Sequence, residues 1–176
     1  MRSVLTAVLT VAFGGVALAD DKKGAEVKVG TLKATTPGNW NALAKPGMMR
    51  TLQFTVPKVA GDKEDADISV FELKSAGTVE QNLKRQLAKF DEEGRKEKVE
   101  KLKVGGVDAT YQDVTGTFLK KAFPMAPKAT PLADYRQLYV VWENKDGEQY
   151  YIWLVGPAKT VAANKKAFDE FLKALK

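Results

Sequence analysis

Neither cysteine nor histidine occurs anywhere in the 176 residues. Without cysteine there is no disulfide, no thiolate metal site and no thiol nucleophile. Without histidine, Ser-His-Asp and Cys-His catalysis are excluded, as are histidine-ligated zinc, copper and haem. The usual general base at neutral pH is absent too. An enzyme built from this chain would have to work with carboxylates, lysine or tyrosine. The residues nominate no such group, so a carboxylate- or Lys-based hydrolase stands only as a remote alternative, with no catalytic, cofactor or metal residue assigned.

Long apolar runs are equally scarce. The one that stands out covers Val4 to Val16, behind Arg2 and ahead of Ala17-Leu18-Ala19 and the polar Asp20-Asp21-Lys22-Lys23. A basic start, an apolar core and a small-x-small site read as a cleavable secretory signal over residues 1–19, cut after Ala19. A spanning helix needs about 20 apolar residues; this run is shorter and carries Gly14-Gly15. No cysteine follows the cleavage site, which excludes a lipid-anchored form. The expectation is export to the periplasm or beyond the cell. Residues 20–25 then form a flexible leader and residues 26–176 a single soluble domain, expected to be monomeric. Export permits disulfides, so a chain without cysteine must stand on its apolar core alone.

The formal net charge is +6. The basic residues are mostly lysines interleaved with acids, not an Arg/Lys cluster with aromatics on one element. That pattern speaks against nucleic acid and for a solvated surface with weak attraction to anionic partners.

Alternation through Val27, Val29 and Leu32 predicts a first strand from Glu26, and Trp40 to Lys45 fits one helical turn. Met49–Val56 and Asp67–Leu73 alternate as strands. Thr78, with Gln81 three residues on, is a capping box opening a helix whose apolar face is Val79, Leu83, Leu87 and Phe90. Gly94 lies just past its end. Gly105-Gly106 joins Lys98–Val104 to Val107–Phe118. Leu119 to Asp134, with Pro124, Pro127 and Pro131, reads as an irregular loop. Asp146-Gly147 closes a hairpin of Tyr135–Glu143 and Glu148–Val155, set so that Tyr139 and Val141 oppose Leu154 and Ile152. Both faces of that hairpin are apolar and need cover. A last helix, Lys159 to Leu175, buries Val161, Phe168, Phe171, Leu172 and Leu175. The result is α+β: a largely antiparallel sheet of about six to seven strands between two helices, an α/β/α sandwich.

Several motifs carry a family resemblance. They are Trp40…Pro46…Met49-Arg50, Gly77-Thr78-Val79-Glu80-Gln81-Asn82-Leu83-Lys84-Arg85 with Phe90, Gly116-Thr117-Phe118, and Gly156-Pro157-Ala158-Lys159-Thr160-Val161. In these the chain resembles uncharacterised exported bacterial proteins of planctomycete type with a PsbP-like α/β/α fold. Gln86 and Trp153 depart from that pattern, which has Trp and Lys there. The resemblance implies a binding or assembly module and carries no activity.

Asp62, Glu64, Asp65 and Asp67 crowd one turn, but the mid-loop Gly and terminal bidentate Glu of an EF-hand are missing. Arg50, Asn82 and Arg85 are the candidate anion-binding residues: Asn82 and Arg85 share a helix face, and a guanidinium clamps carboxylate or phosphate. The plainer alternative is that both bond nearby loop carbonyls. Tyr135, Tyr139, Tyr150, Tyr151, Trp142 and Trp153 crowd one hairpin, either as core or as an aromatic platform. In the 119–134 segment, Lys120, Lys121, Phe123, Met125 and Lys128 are the candidate partner-binding residues, since apolar side chains beside lysines on a long loop suit a contact surface. The functional expectation is an exported non-catalytic module binding an envelope protein or anionic polymer. The alternative is a carrier of a small anionic ligand, with a pocket near the first helix.

Overall fold

The computed structural model describes residues 24–176, residues 75 and 124 excepted. The signal peptide expected over 1–19 and most of the leader expected over 20–25 lie outside the described residues. The elements run β1 Glu26–Val29, β2 Leu32–Thr35, β3 Asn41–Ala42, β4 Leu52–Val56, β5 Ala66–Lys74, α1 Val79–Leu87, β6 Lys96–Val104, β7 Val107–Lys121, β8 Ala129–Glu143, β9 Glu148–Pro157 and α2 Ala158–Ala174. Seven strands form one antiparallel sheet in the order β3-β4-β5-β9-β8-β7-β6; β1 and β2 make a separate hairpin. The expected α+β architecture holds.

Alternation sorts the sheet into two faces. Ile68, Val70, Leu138, Val140, Trp142, Ile152 and Leu154 pack with Val161, Phe168, Phe171, Leu172 and Leu175 of α2 into the main core. Trp40 closes that core against Phe171, with ring centroids 4.9 Å apart. The β1–β2 hairpin lies beside the end of α2, where Lys33 and Lys176 exchange backbone hydrogen bonds. On the opposite face α1 covers a smaller cluster of Tyr139, Val141 and Tyr151 with Val79 and Leu83.

The capping box at Thr78 forms in full. Five local expectations are corrected. The chain reverses at Gly30, where φ is +58, so the expected first strand is a hairpin. Asn41–Ala42 pairs with Thr55 and Phe54 and is an edge strand, not a helical turn. Helix α1 stops at Leu87, and Phe90 leaves it to bridge Phe118.

The fourth concerns the Tyr135–Val155 hairpin, whose register slips by one. Tyr139 faces Trp153 and Val141 faces Tyr151, while Leu138 and Val140 face Leu154 and Ile152. Gly147, at φ +75, donates its N–H to Asn144 O and ends a three-residue connection in place of a two-residue one. One extra loop residue moves every β9 side chain to the other face.

The segment 119–134 is not an irregular loop. β7 and β8 run on through Leu119↔Pro131, Lys120↔Thr130 and Lys121↔Ala129, leaving only residues 122–128 as a connection. The register shifts between Gly116 and Phe118, with one extra residue on β8 near Asp134, whose φ is +57. β9 ends opposite Tyr135, so Pro131 stands on an unpaired edge that tolerates proline. The hairpin therefore projects past the sheet as an arm.

Candidate functional sites

The arm is anchored at its root. Phe118 stacks on Tyr135 at 5.6 Å and meets Phe90 edge-on at 5.3 Å, over Val114. Backbone bonds from Asp91 N–H to Thr117 O and from Leu119 N–H to Lys89 O tie the segment after α1 to β7. Tyr135 donates its hydroxyl to Glu64, which also pairs with Lys120 at 3.1 Å. The Tyr135 hydrogen bond, opposed by partial burial and reinforced by Lys120, holds the Glu64 carboxyl below its ordinary range. Burial, then the bond to Glu64, pushes the Tyr135 phenol up.

Beyond this root the structure brings the predicted residues together at one tip. Phe123 is 58 % and Met125 87 % exposed. Lys121 and Lys128 flank the connection that carries them and Lys120 stands nearer the root, all three exposed, Lys120 and Lys121 at the end of β7. Lys58, Lys63 and Lys159 are exposed as well, around the turn before β5 that carries Glu64. The acids there are largely occupied: Asp62 accepts from Thr160, Glu64 from Tyr135 and Lys120, and Asp65 from the Lys58 N–H. Asp67 accepts from Gln53 and Ser69. Among the described residues no group of three acidic side chains is arranged to hold a metal ion.

The second predicted set sits by α1. Asn82 is buried, and its amide donates to Thr78 O at 2.9 Å, Ala76 O at 3.3 Å and the Tyr151 hydroxyl at 3.3 Å. Arg85 donates to Ala76 O and to Asn82 Oδ1 at 2.8 Å. These two residues hold the loop before α1, as the plainer alternative had it. Asn82, Gln86, Tyr139 and Tyr151 fill the space under the helix, so it has no room for the expected enclosed pocket. Two open depressions lie elsewhere, of about 200 Å³ by Glu72, Leu73, Lys74 and Glu148 and about 420 Å³ between Gly105-Gly106 and Lys173, Leu175 and Lys176.

Arg50 sits apart from Asn82. Its Nε donates to Ser69 Oγ at 2.8 Å, and its guanidinium carbon is 5.5 Å from the Phe71 ring centroid. Phe71 adjoins Trp153, centroids 4.5 Å apart, and Lys89 Nζ lies 4.4 Å from the Trp153 ring. Burial, with the charges of Arg50 and Arg85, pushes the Lys89 ammonium down to about 8. Lys89 and Phe71 were missed from sequence, and Trp153 was grouped with the other hairpin aromatics, because only the corrected β9 register turns Trp153 toward Phe71 and Lys89. Tyr135, Tyr139, Tyr150, Tyr151 and Trp142 are buried, which makes them core; Trp153 is half-buried.

No family model matches the chain, and no curated protein matches it. Solved structures do. Cyanobacterial PsbP (CyanoP) from Synechocystis aligns over 94% of this chain and 97% of its own, with TM-score 0.53 and 13% identity. A Pseudomonas aeruginosa protein of unknown function aligns over 87% and 96%, with TM-score 0.51 and 14% identity. The Saccharomyces cerevisiae Ran-binding protein Mog1p aligns over 87% and 94%, with TM-score 0.51 and 10% identity. At these identities the likeness establishes a PsbP-like fold.

Proposed function

We propose that the chain is an exported, monomeric, non-catalytic binding module that docks an acidic protein or polymer of the cell envelope against the tip of the β7–β8 arm. The observation that carries this reading is the exposure of Phe123 and Met125 among Lys120, Lys121 and Lys128 on a well-anchored hairpin. Apolar side chains offer contact area, and the surrounding lysines select an anionic partner and speed encounter. Export rests on the sequence pattern of residues 1–19 and on the resemblance to exported bacterial proteins of planctomycete type. Mog1p is named for binding a protein, Ran, which supports a protein-docking role for this fold without naming a partner here.

The chemistry favours binding over catalysis. Among the described residues, the carboxylates with a resolved shift are Glu64, Glu80, Asp108 and Glu148, and all are lowered by hydrogen-bond donors. A general acid would instead need a raised one. The Ser69 hydroxyl is buried between Arg50 and Asp67, so it is not presented to a substrate.

The test is binding to immobilised poly-glutamate and to envelope extract by the natural chain and by the triple variant Lys120→Ala, Lys121→Ala, Phe123→Ala. Salt-sensitive binding that the triple variant loses supports the proposal. Unchanged binding by the folded variant overturns it.

A further inference from the structure

Helix α1 has nine residues and contacts β7 and β8. It covers Tyr139, Val141 and Tyr151, and the same face runs on past its edge over β4, β5 and β9. That strip carries Gln53, Ser69, Phe71 and Trp153, with Phe71 and Trp153 half-buried. Two cations close over it, Arg50 from the β3–β4 connection above Phe71 and Lys89 from the segment behind α1 above Trp153, and a third, Arg85 of α1, stands near enough for its charge to act on Lys89. Among the described residues, none of the three has a carboxylate within ion-pair distance; the ion pairs of the fold use other residues. Asp67 reaches Arg50 only through the Ser69 hydroxyl.

Cations gathered over a partly desolvated aromatic floor repel one another, and an anion between them would offset both the repulsion and the lost hydration. The lowered Lys89 ammonium is the response expected of such a site when empty. The floor adds a second requirement. Two adjoining rings, 4.5 Å between centroids and inclined at 44°, offer an angled apolar surface that a hydrated inorganic ion cannot use and an apolar group can. Surfaces that bind small molecules combine apolar lining with a few placed polar groups in this way.

We infer that the strip beside α1 is a second site, binding a small carboxylate or phosphate anion that carries an apolar group. The oxyanion is held by Arg50 and Lys89, with the charge of Arg85 beside them, and the apolar group packs against Phe71 and Trp153. The site uses none of the residues of the arm tip, so it stands or falls apart from the docking proposal.

The experiment follows the tryptophan indole N–H signals of the folded chain by NMR during titration. The probes are phenyl phosphate, inorganic phosphate and phenol. Trp40 and Trp142 are 6% and 2% exposed, so Trp153 is the reporter and the other two are internal controls. The expected result is a saturable shift of Trp153 alone. Phenyl phosphate should bind at least about tenfold more tightly than either single-feature probe, and Lys89→Met should lose about tenfold, the size of one charged contact. Lys89→Arg keeps the charge and should restore binding. Phenyl phosphate binding no tighter than phosphate or phenol overturns the inference. So do equal affinity in a folded Lys89→Met chain and a response spread over all three tryptophans.

Discussion

Asp62 caps helix α2 through Thr160, 98 residues further along the chain: its Oδ2 accepts the Thr160 backbone N–H at 2.8 Å and the Thr160 hydroxyl at 2.6 Å. Helix α2 starts after Pro157, which offers no side-chain cap, and Thr160 is fully buried in its first turn. The turn before β5 thus supplies what the helix lacks, an acceptor and a negative charge at its N-terminus. Asp62→Ala should cost about 1–2 kcal/mol, the usual value of a lost cap. Urea unfolding of the two chains measures it. A change below about 0.3 kcal/mol would show that the loop, not the cap, fixes the end of α2.

Asn82 is the corresponding anchor on the other face. Its amide bridges Ala76 O, Thr78 O and the Tyr151 hydroxyl from a buried position. Asn82→Ala strands those groups and should cost about 1–3 kcal/mol. It should also raise hydrogen exchange in α1 before exchange in β8 and β9 rises.

Lys89 sets a pH dependence whose sign is opposite to that of a salt bridge. Its folded value, about 8, lies below the ordinary 10.5. Below pH 8 both folded and unfolded chains carry the charge, and the folded state bears the whole penalty. Between about 8 and 10.5 the unfolded chain holds more protons, so stability rises with pH. Lys89→Met should therefore melt higher than the natural chain at pH 7, and the gap should close by pH 10.5. A gap that is constant with pH would assign it to packing against Trp153 instead.

Glu64 behaves in the ordinary carboxylate sense. Its folded value lies below 4.5, chiefly through the Tyr135 hydroxyl. Its contribution is complete above pH 4.5 and fades as pH falls through the folded value. Glu64→Gln should be less stable at pH 7 and converge with the natural chain in acid. Tyr135→Phe, which removes the main donor, should show the same convergence.

How much of this was legible in the chain depends on how local the signal is. Thr78 and Gln81 announce α1 because a capping box is written within four residues, and α2's buried face follows from its own spacing. The faces of β8 read correctly for the same reason. β9 did not, because its side depends on whether Asp146-Gly147 or Lys145-Asp146-Gly147 makes the turn, a choice settled by Asn144 accepting from Asp146 N and Glu148 N. That single residue decides whether Trp153 meets α2 or joins Phe71 and Lys89. Pro127 does fall in the 122–128 connection, but Pro131 signalled a break where β8 continues, because no strand lies on its outer side. Arg50's place is set by β4–β5 pairing, which nothing within its own sequence neighbourhood encodes.

Phe123 and Met125 are exposed without a packing role, so their loss should leave the fold alone. Phe123→Ser with Met125→Ser should change unfolding free energy by less than about 0.5 kcal/mol. A larger loss, read by urea unfolding, would mean that the tip packs on the molecule and is not free to dock.

The most direct measurement is photocrosslinking in the native host with a benzophenone side chain placed at position 123. The control position is 99, an exposed valine on β6, 47% accessible and away from the arm. Docking at the arm tip predicts one dominant adduct from position 123, absent from position 99, and weakened by salt and by Lys121→Ala with Lys128→Ala. Adducts from position 123 that match those from position 99 in pattern and yield would contradict it.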